Sequence, residues 1–482
     1  VVFKLWSGLS SKDAFRLCGI SKRARSEATA ALQLPYLPRF FCPTPQELES
    51  NCSLVLSHLG VRSSRGYMLV WDDTVYSPDY ALLYRWRPDP GGPVVIGGAL
   101  PDHAIIEPDT LDGQKSVKAL PKENLAQCCA SFLVKRVDQK TNVWDIRLLP
   151  RRLKDITGKN QLHLAGECLA ALTSQNNGYP PMCLAYDNHS SHGLINAKLL
   201  GLSVDVAGVP AFKDMTPGTS LRGTEYFPFR GCVFNGHEIF GGNDGPHTQN
   251  AVAANARRSA RVIYWASDVL WASYASLRCE GTPFRPIVGK DGHSNKEHAY
   301  LLRPSVAKRI HWDSLGVTLW QYSVCLITGA WIASHLFTPQ EIYINCMTGY
   351  YLALLSVAHA WGMKGARWPE RSMAKITVKN LLHLAAHAAL RVAQWRDRKV
   401  AFELENTMED PAEHHFSTTK EGVRGTPSLH RGILGTLRKH LHLRRDGLKV
   451  RESRTWKGLK PVEQQGYSEE ALRASLKLYS IA

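Results

Sequence analysis

Three acidic residues stand in three different local settings: Asp72 in GYMLVWDDTVY, Asp187 in PPMCLAYDNHSSHG and Glu413 in MEDPAEHHFSTTKEG. The first two each end a short apolar run that reads as a buried strand. The third falls in the first turn of a helix that Asp410 caps, Pro411 starts and Gly422 stops. Hard divalent cations take oxygen ligands, and carboxylates converging from separate elements can hold two such ions for phosphoryl transfer. Taken singly, each carboxylate has a plainer reading: a strand-ending aspartate is common, and a first-turn glutamate is favoured by the helix dipole. His189, His192, His414 and His415 lie beside the carboxylates. They allow a mixed His/carboxylate transition-metal site, or a role in orienting carboxylates or donating to phosphate, of which the second is preferred.

The elements that must position these groups can be read from periodicity and turn chemistry. Strands are predicted at 67–75, 81–87 and 94–100, an antiparallel meander parted by Ser77-Pro78-Asp79 and Asp89-Pro90-Gly91-Gly92. Further strands follow at 130–137 and 141–149, then a helix near 161–172, a strand at 182–186 ending in Asp187, and a helix at 193–200 stopped by Gly201. Three strands, a helix, a strand and a helix is the ribonuclease-H-like order, in which the first and fourth strands lie side by side. From residue 250 to about 406 strand signals nearly vanish. Helices are expected there at 251–278, 297–309 and 373–402, with Trp271, Trp320, Trp331 and Trp361 filling their core. The expected fold class is therefore α/β: a ribonuclease-H-like mixed sheet core interrupted by a large all-α insertion domain.

The boundaries that follow are an N-terminal helical segment at 1–62, with an amphipathic helix at 46–59, as an oligomerisation or DNA-binding remnant; a first core part at 63–249; a helical insertion at 250–405; closing core helices with Glu413 at 406–445; and a basic tail at 446–482. A chain that starts at Val1 fits a longer protein with a further N-terminal module.

Charge favours a polyanionic partner. Across 482 residues, 59 Lys and Arg face 42 Asp and Glu, a formal net charge of +17. The excess gathers late, in Arg424, Arg431, Arg438, Lys439, Arg444 and Arg445, on and after a helix whose other face is apolar, so these are the candidate phosphate-contacting residues for double-stranded DNA. Arg257, Arg258 and Arg261 offer a second stripe. The eleven cysteines are scattered without a CxxC pair, which argues against a zinc ribbon or a disulfide framework and fits a reducing compartment. Two uncharged apolar stretches, 315–337 and 342–363, are long enough to span a bilayer. Their many Ser, Thr, Asn, Gln and His residues, with aromatics spread along them, point to buried helices; a hairpin membrane anchor is the alternative.

In this pattern the chain resembles the P-element-type transposases, including those with THAP domains. Asp72-Asp73 matches their Asp-Glu strand end; Asp187-Asn188-His189-Ser190-Ser191 with Asn196 matches their second motif. Asp244-Gly245-Pro246-His247-Thr248-Gln249-Asn250 stands for the motif that opens their helical insertion, and the run around Glu413 for their closing motif. The resemblance spans roughly residues 40–443 and implies a DNA transposase of the DDE type, a nuclear mobile-element enzyme acting as a homo-oligomer on transposon ends and target DNA. Asp72, Asp187 and Glu413 would then be the catalytic, Mg²⁺- or Mn²⁺-holding residues. Asp244, His247 and Asn250 would belong to an insertion the family associates with guanine nucleotide, so GTP enters as a second implied cofactor. Gln249 stands where the relatives have lysine and weighs against it, and Asp73 replaces their glutamate. The alternative reading is a domesticated, catalytically inactive DNA-binding or scaffolding protein of the same descent.

Overall fold

Local capping chemistry sets the first helix among the described residues. The computed structural model describes residues 36–37, 39–85, 93–99, 104–106, 121–139, 143–187, 189–218, 223–225, 227–258, 264–265, 268–269, 315–332, 334–362, 373–394 and 404. After a two-residue strand, β1 (Tyr36–Leu37), helix α1 (Pro45–Leu59) opens on a capping box. The Thr44 hydroxyl accepts the Glu47 N–H at 3.2 Å, and the Glu47 carboxylate accepts the Thr44 N–H at 2.9 Å. Pro45 supplies a fixed helical φ, and Gly60, at φ 64°, lets the chain leave in the left-handed region.

Strand β2 (Tyr67–Val75) is followed by β3 (Ala81–Arg85), β4 (Pro93–Ile96) and β5 (Ile105–Ile106), then by β6 (Cys128–Arg136) and β7 (Val143–Arg151). Helix α2 (Gly158–Gln175), strand β8 (Cys183–Tyr186), helix α3 (Gly193–Leu199) and strands β9 (Thr216–Pro217), β10 (Cys232–Phe234) and β11 (His237–Asn243) come next. Helix α4 (Gly245–Arg258) and three long helices, α5 (Leu315–Ile332), α6 (Pro339–Gly362) and α7 (Lys375–Gln394), complete the elements used below.

Among the described residues the central sheet has seven strands in the order β7-β6-β2-β8-β11-β10-β9. β7, β6 and β2 are antiparallel neighbours, whereas β8 runs parallel to β2 and β11 parallel to β8. The molecule is thus α/β with a mixed sheet, compatible with a ribonuclease-H-like core. The expected meander is corrected in one respect. β3 and β4 leave the central sheet and pair with β1 and β5 in a separate four-stranded one, and β2 takes β6 and β8 as partners instead. Burial explains the choice: eight of the nine residues of β6 are buried, as a strand covered on both faces requires.

Side-chain alternation along β2 divides two layers. Tyr67, Leu69 and Trp71 pack with α1, α2 and α3, including Leu56, Leu162, Leu169 and Ile195. Met68 and Val70 pack with α5, α6 and α7 through residues such as Trp331, Tyr343 and Leu384. The two apolar stretches therefore form core helices. Ser323 donates to the Gly349 carbonyl at 2.8 Å, and the Trp331 indole donates to the Leu384 carbonyl at 3.0 Å, so their polar groups are satisfied inside the bundle. No helix among the described residues is long and apolar enough to cross a membrane. The helix expected over 251–278 is corrected as well: α4 ends at Arg258, and a short antiparallel pair, Tyr264–Trp265 with Asp268–Val269, follows it.

Strand β11 has no counterpart in the sequence reading, because Gly241-Gly242 disguises it. A glycine inside a strand marks a close approach. A Cβ on Gly241 would lie 2.4 to 2.8 Å from three ring atoms of His387 on α7. That imidazole is buried, and its Nε2–H donates to Asn196 Oδ1 at 3.0 Å. Gly241→Ala is therefore expected to destabilise the fold by about 1–3 kcal/mol through overpacking. Combining it with His387→Ala should give a loss well short of the sum of the two single changes in urea unfolding, since the two sites share one space. Additive losses would show that the ring and the glycine are not in contact.

Burial pushes His387 and His383, one turn apart on α7, down to about 3. Both are neutral in the fold and recover their ordinary value, near 6.5, when the chain unfolds. The unfolded chain then binds more protons as pH drops, so stability is lost below pH 6.5. The loss is about 2 kcal/mol per histidine at pH 5, above most carboxylate titrations. His387→Gln should flatten the fall of the urea midpoint between pH 7 and pH 5; an unchanged slope would contradict this origin.

Candidate functional site

The end of the β2–β8 pairing frames the candidate site. In the parallel pairing of β2 with β8, Trp71 is opposite Tyr186; in the pairing of β8 with β11, Tyr186 is opposite Asn243. Asp72, Asp187 and Asp244 are each the next residue along, so three neighbouring strands carry an aspartate at one level of the sheet. Their fates differ. Asp187 is the first residue beyond β8, with a side chain 28% exposed. Asp244 is fully buried and caps α4: its carboxylate accepts the His247 N–H at 3.2 Å and pairs with the His247 ring. Asp72, half-buried within β2, accepts the Asp73 N–H at 2.6 Å through Oδ1.

Alternation separates the adjacent acids of β2. Asp73 points toward α2, where it pairs with the Arg151 guanidinium and accepts from Gln161 Nε2 at 2.5 Å. Arg151 is only 5% exposed at its side chain, so Asp73 serves as the counter-charge of a buried cation. Asp72 is left on the other side of the strand. Asp73→Asn should therefore lower the unfolding free energy by about 3 kcal/mol, because the arginine charge stays buried without its partner. A loss under about 1 kcal/mol in chemical denaturation would contradict that role.

Asp187 is held by the turn that follows it. Its Oδ1 accepts from His192 Nδ1 at 2.6 Å and from the His189 N–H at 3.0 Å; Oδ2 makes no hydrogen bond among the described residues. Burial works to raise its pKa, but the hydrogen bonds from His192 and the His189 N–H outweigh burial, and the carboxyl is held below its usual range. His192 is 2% exposed and lies against Trp71 and Tyr186, which stack on each other at 4.8 Å. The Trp71 indole N–H points at its Nε2, 3.2 Å away. Burial lowers the pKa of His192 and the Asp187 contact raises it, with the rise prevailing. His189 turns to Ser191, its Nδ1 lying 2.8 Å from the hydroxyl.

The sequence-predicted residues are thus placed unequally. The register sets Asp72 on β2 level with Asp187, the residue after β8. Asp244 and His247 bond to each other at the start of α4, where Asn250 is buried on the same helix. Glu413, His414, His415 and the basic residues Arg424, Arg431, Arg438, Lys439, Arg444 and Arg445 lie outside the described residues, as do Trp271 and Arg261. Among the described residues no three His, Cys, Asp or Glu side chains are grouped so as to hold an ion. Trp71, Gln161 and Arg151 were not legible as site neighbours, since each acts through a contact distant in sequence. The alternation that parts Asp72 from Asp73 was the one available signal.

No family model and no curated protein matches the chain. Among solved structures, the fold is similar to a chain of the Drosophila P element transposase strand transfer complex, with a TM-score of 0.46 and 10% sequence identity, over 85% of this chain and 93% of that one.

Proposed function

We propose that this chain is a metal-dependent DNA transposase of the DDE type, cutting and joining DNA by phosphodiester transfer. The observation that carries the reading is the register: Asp72 and Asp187 each follow a residue of the Trp71–Tyr186 pair, the last at which the parallel strands β2 and β8 are paired. Two oxygen-donor residues set side by side by backbone pairing suit a hard divalent cation, and Oδ2 of Asp187, without a hydrogen bond among the described residues, is an available ligand atom. Asp72, Asp187 and Glu413 would hold Mg²⁺ or Mn²⁺, which when bound supplies an activated oxygen nucleophile and stabilises the leaving oxygen.

The chain's own residues do the rest. Asp187, with its carboxyl held ionised by His192 and the His189 N–H, keeps its charge at neutral pH. The positive residues from Arg424 to Arg445 would follow the phosphate backbone of double-stranded DNA, and their number implies binding that weakens steeply with salt. A homo-oligomer working in the nucleus on paired DNA ends accords with the same reading, as does GTP at the Asp244–Asn250 segment, with Gln249 standing against it.

Nicking of supercoiled duplex DNA in Mg²⁺ or Mn²⁺ tests the proposal. Asp187→Asn preserves shape while removing one negative charge, so cleavage should fall by orders of magnitude while salt-sensitive DNA binding survives; Glu413→Gln should behave alike. Metal-dependent cleavage persisting in Asp187→Asn would refute the site. Native protein that binds DNA but never cleaves its cognate ends would instead establish the inactive, DNA-binding alternative.

A further inference from the structure

The turn after β8 contains an imidazole with both nitrogens engaged. An indole N–H can only donate, so His192 Nε2 must accept from Trp71 across their 3.2 Å contact. The ring proton is then on Nδ1, which donates to Asp187 Oδ1 at 2.6 Å and lies 3.0 Å from the Asp187 carbonyl oxygen. Trp71 immediately precedes Asp72 in the chain, so a continuous line of donors runs from the strand of the first aspartate to the carboxylate of the second. The ring is 2% exposed and wedged against Trp71 and Tyr186, with centroid separations of 6.0 and 5.3 Å, which leaves it little freedom to turn.

The geometry points to His192 as the positioning residue for Asp187: held in its Nδ1–H form by the Trp71 indole, it occupies Oδ1 and leaves Oδ2 for a divalent cation. This rests on the metal-dependent reading above. A neutral imidazole oriented by a second hydrogen bond is how proteins commonly fix a ligand's orientation; here the ligand is the carboxylate and the imidazole is the support. His189 cannot substitute, because it contributes only its backbone N–H to Asp187 and commits its ring to Ser191.

Two substitutions separate the nitrogens. In His192→Asn the amide nitrogen stands near the place of Nδ1, keeping a donor for Asp187 and losing the acceptor for Trp71. In His192→Gln the amide oxygen reaches toward the place of Nε2, keeping the Trp71 bond and losing the donor to Asp187. Mn²⁺ affinity of the full chain, read by electron paramagnetic resonance, should drop roughly 10–100-fold in His192→Gln and stay near native in His192→Asn. The cleavage kcat at fixed Mn²⁺ should follow the same order, with the KM for DNA unchanged. If His192→Gln binds Mn²⁺ like the native protein, or both variants lose affinity alike, His192 has only a packing role.

Should either variant fail to fold, ¹⁵N spectra of the native histidine decide: a proton on Nε2 overturns the assignment, and one on Nδ1 upholds it. Native protein that binds no Mn²⁺ removes the metal reading and this inference together. Native protein that binds and cleaves while His192→Gln equals it removes the inference alone.

Discussion

The parallel contact between β2 and β8 is the constraint on which the rest of the molecule depends. Parallel strands have both faces covered, since the connection between them must pass over the sheet. Here β6, β7 and α2 make that connection, and the apolar runs YMLVW and CLAY supply strands able to bury both faces. The register then follows from what each run can bury: Tyr67, Leu69 and Trp71 against one helical layer, Met68 and Val70 against the other. Aspartates placed just beyond such runs are carried to one level of the sheet whatever the loops between them do.

Polar bonds lock the two helical layers to that strand end. Asn196 Oδ1 on α3 accepts from the Tyr186 hydroxyl at 2.8 Å and from His387 Nε2 on α7 at 3.0 Å. One carbonyl oxygen thus joins both layers beside the last residue of β8. The arrangement requires His387 neutral and Gly241 bare, because a charged ring would be buried in an apolar setting and a side chain on β11 would displace it. At the start of α7 the Ala374 N–H donates to Asn255 Oδ1 at 2.9 Å, so α4 and α7 are tied together as well. A site assembled on this frame inherits its stiffness from bonds far from the carboxylates in sequence.

Much of this is legible in the sequence, for identifiable reasons. Helix α1, strands β2 and β8 and helix α3 carry strong local signals: apolar period, a capping or stopping residue, and turn chemistry on either side. The adjacency of Asp72 and Asp187 followed from element order. The meander was misplaced because 81–85 and 93–96 are good strands by local criteria, and only the competition for β2 decides that β6 wins. Strand β11 escaped because its two glycines look like a loop until the His387 ring that needs the space is seen. The polar support of Asp187 is half visible: His192 stands out as a histidine near a carboxylate, but nothing in the sequence sets its partner Trp71 apart from the other aromatics.

The pair Asp72-Asp73 shows where local sequence stops being informative. Two identical side chains in consecutive positions point to opposite faces of one strand, and nothing within the run GYMLVWDDTVY says which is structural. The decision lies on β7 and α2, at Arg151 and Gln161, 78 and 88 residues farther along the chain than Asp73. A buried guanidinium requires a carboxylate, so Asp73 is committed once β7 docks. Asp72, one residue earlier, lies on the face that receives α5, α6 and α7. The same sheet therefore commits one of the two acids to a buried cation and turns the other toward the opposite layer.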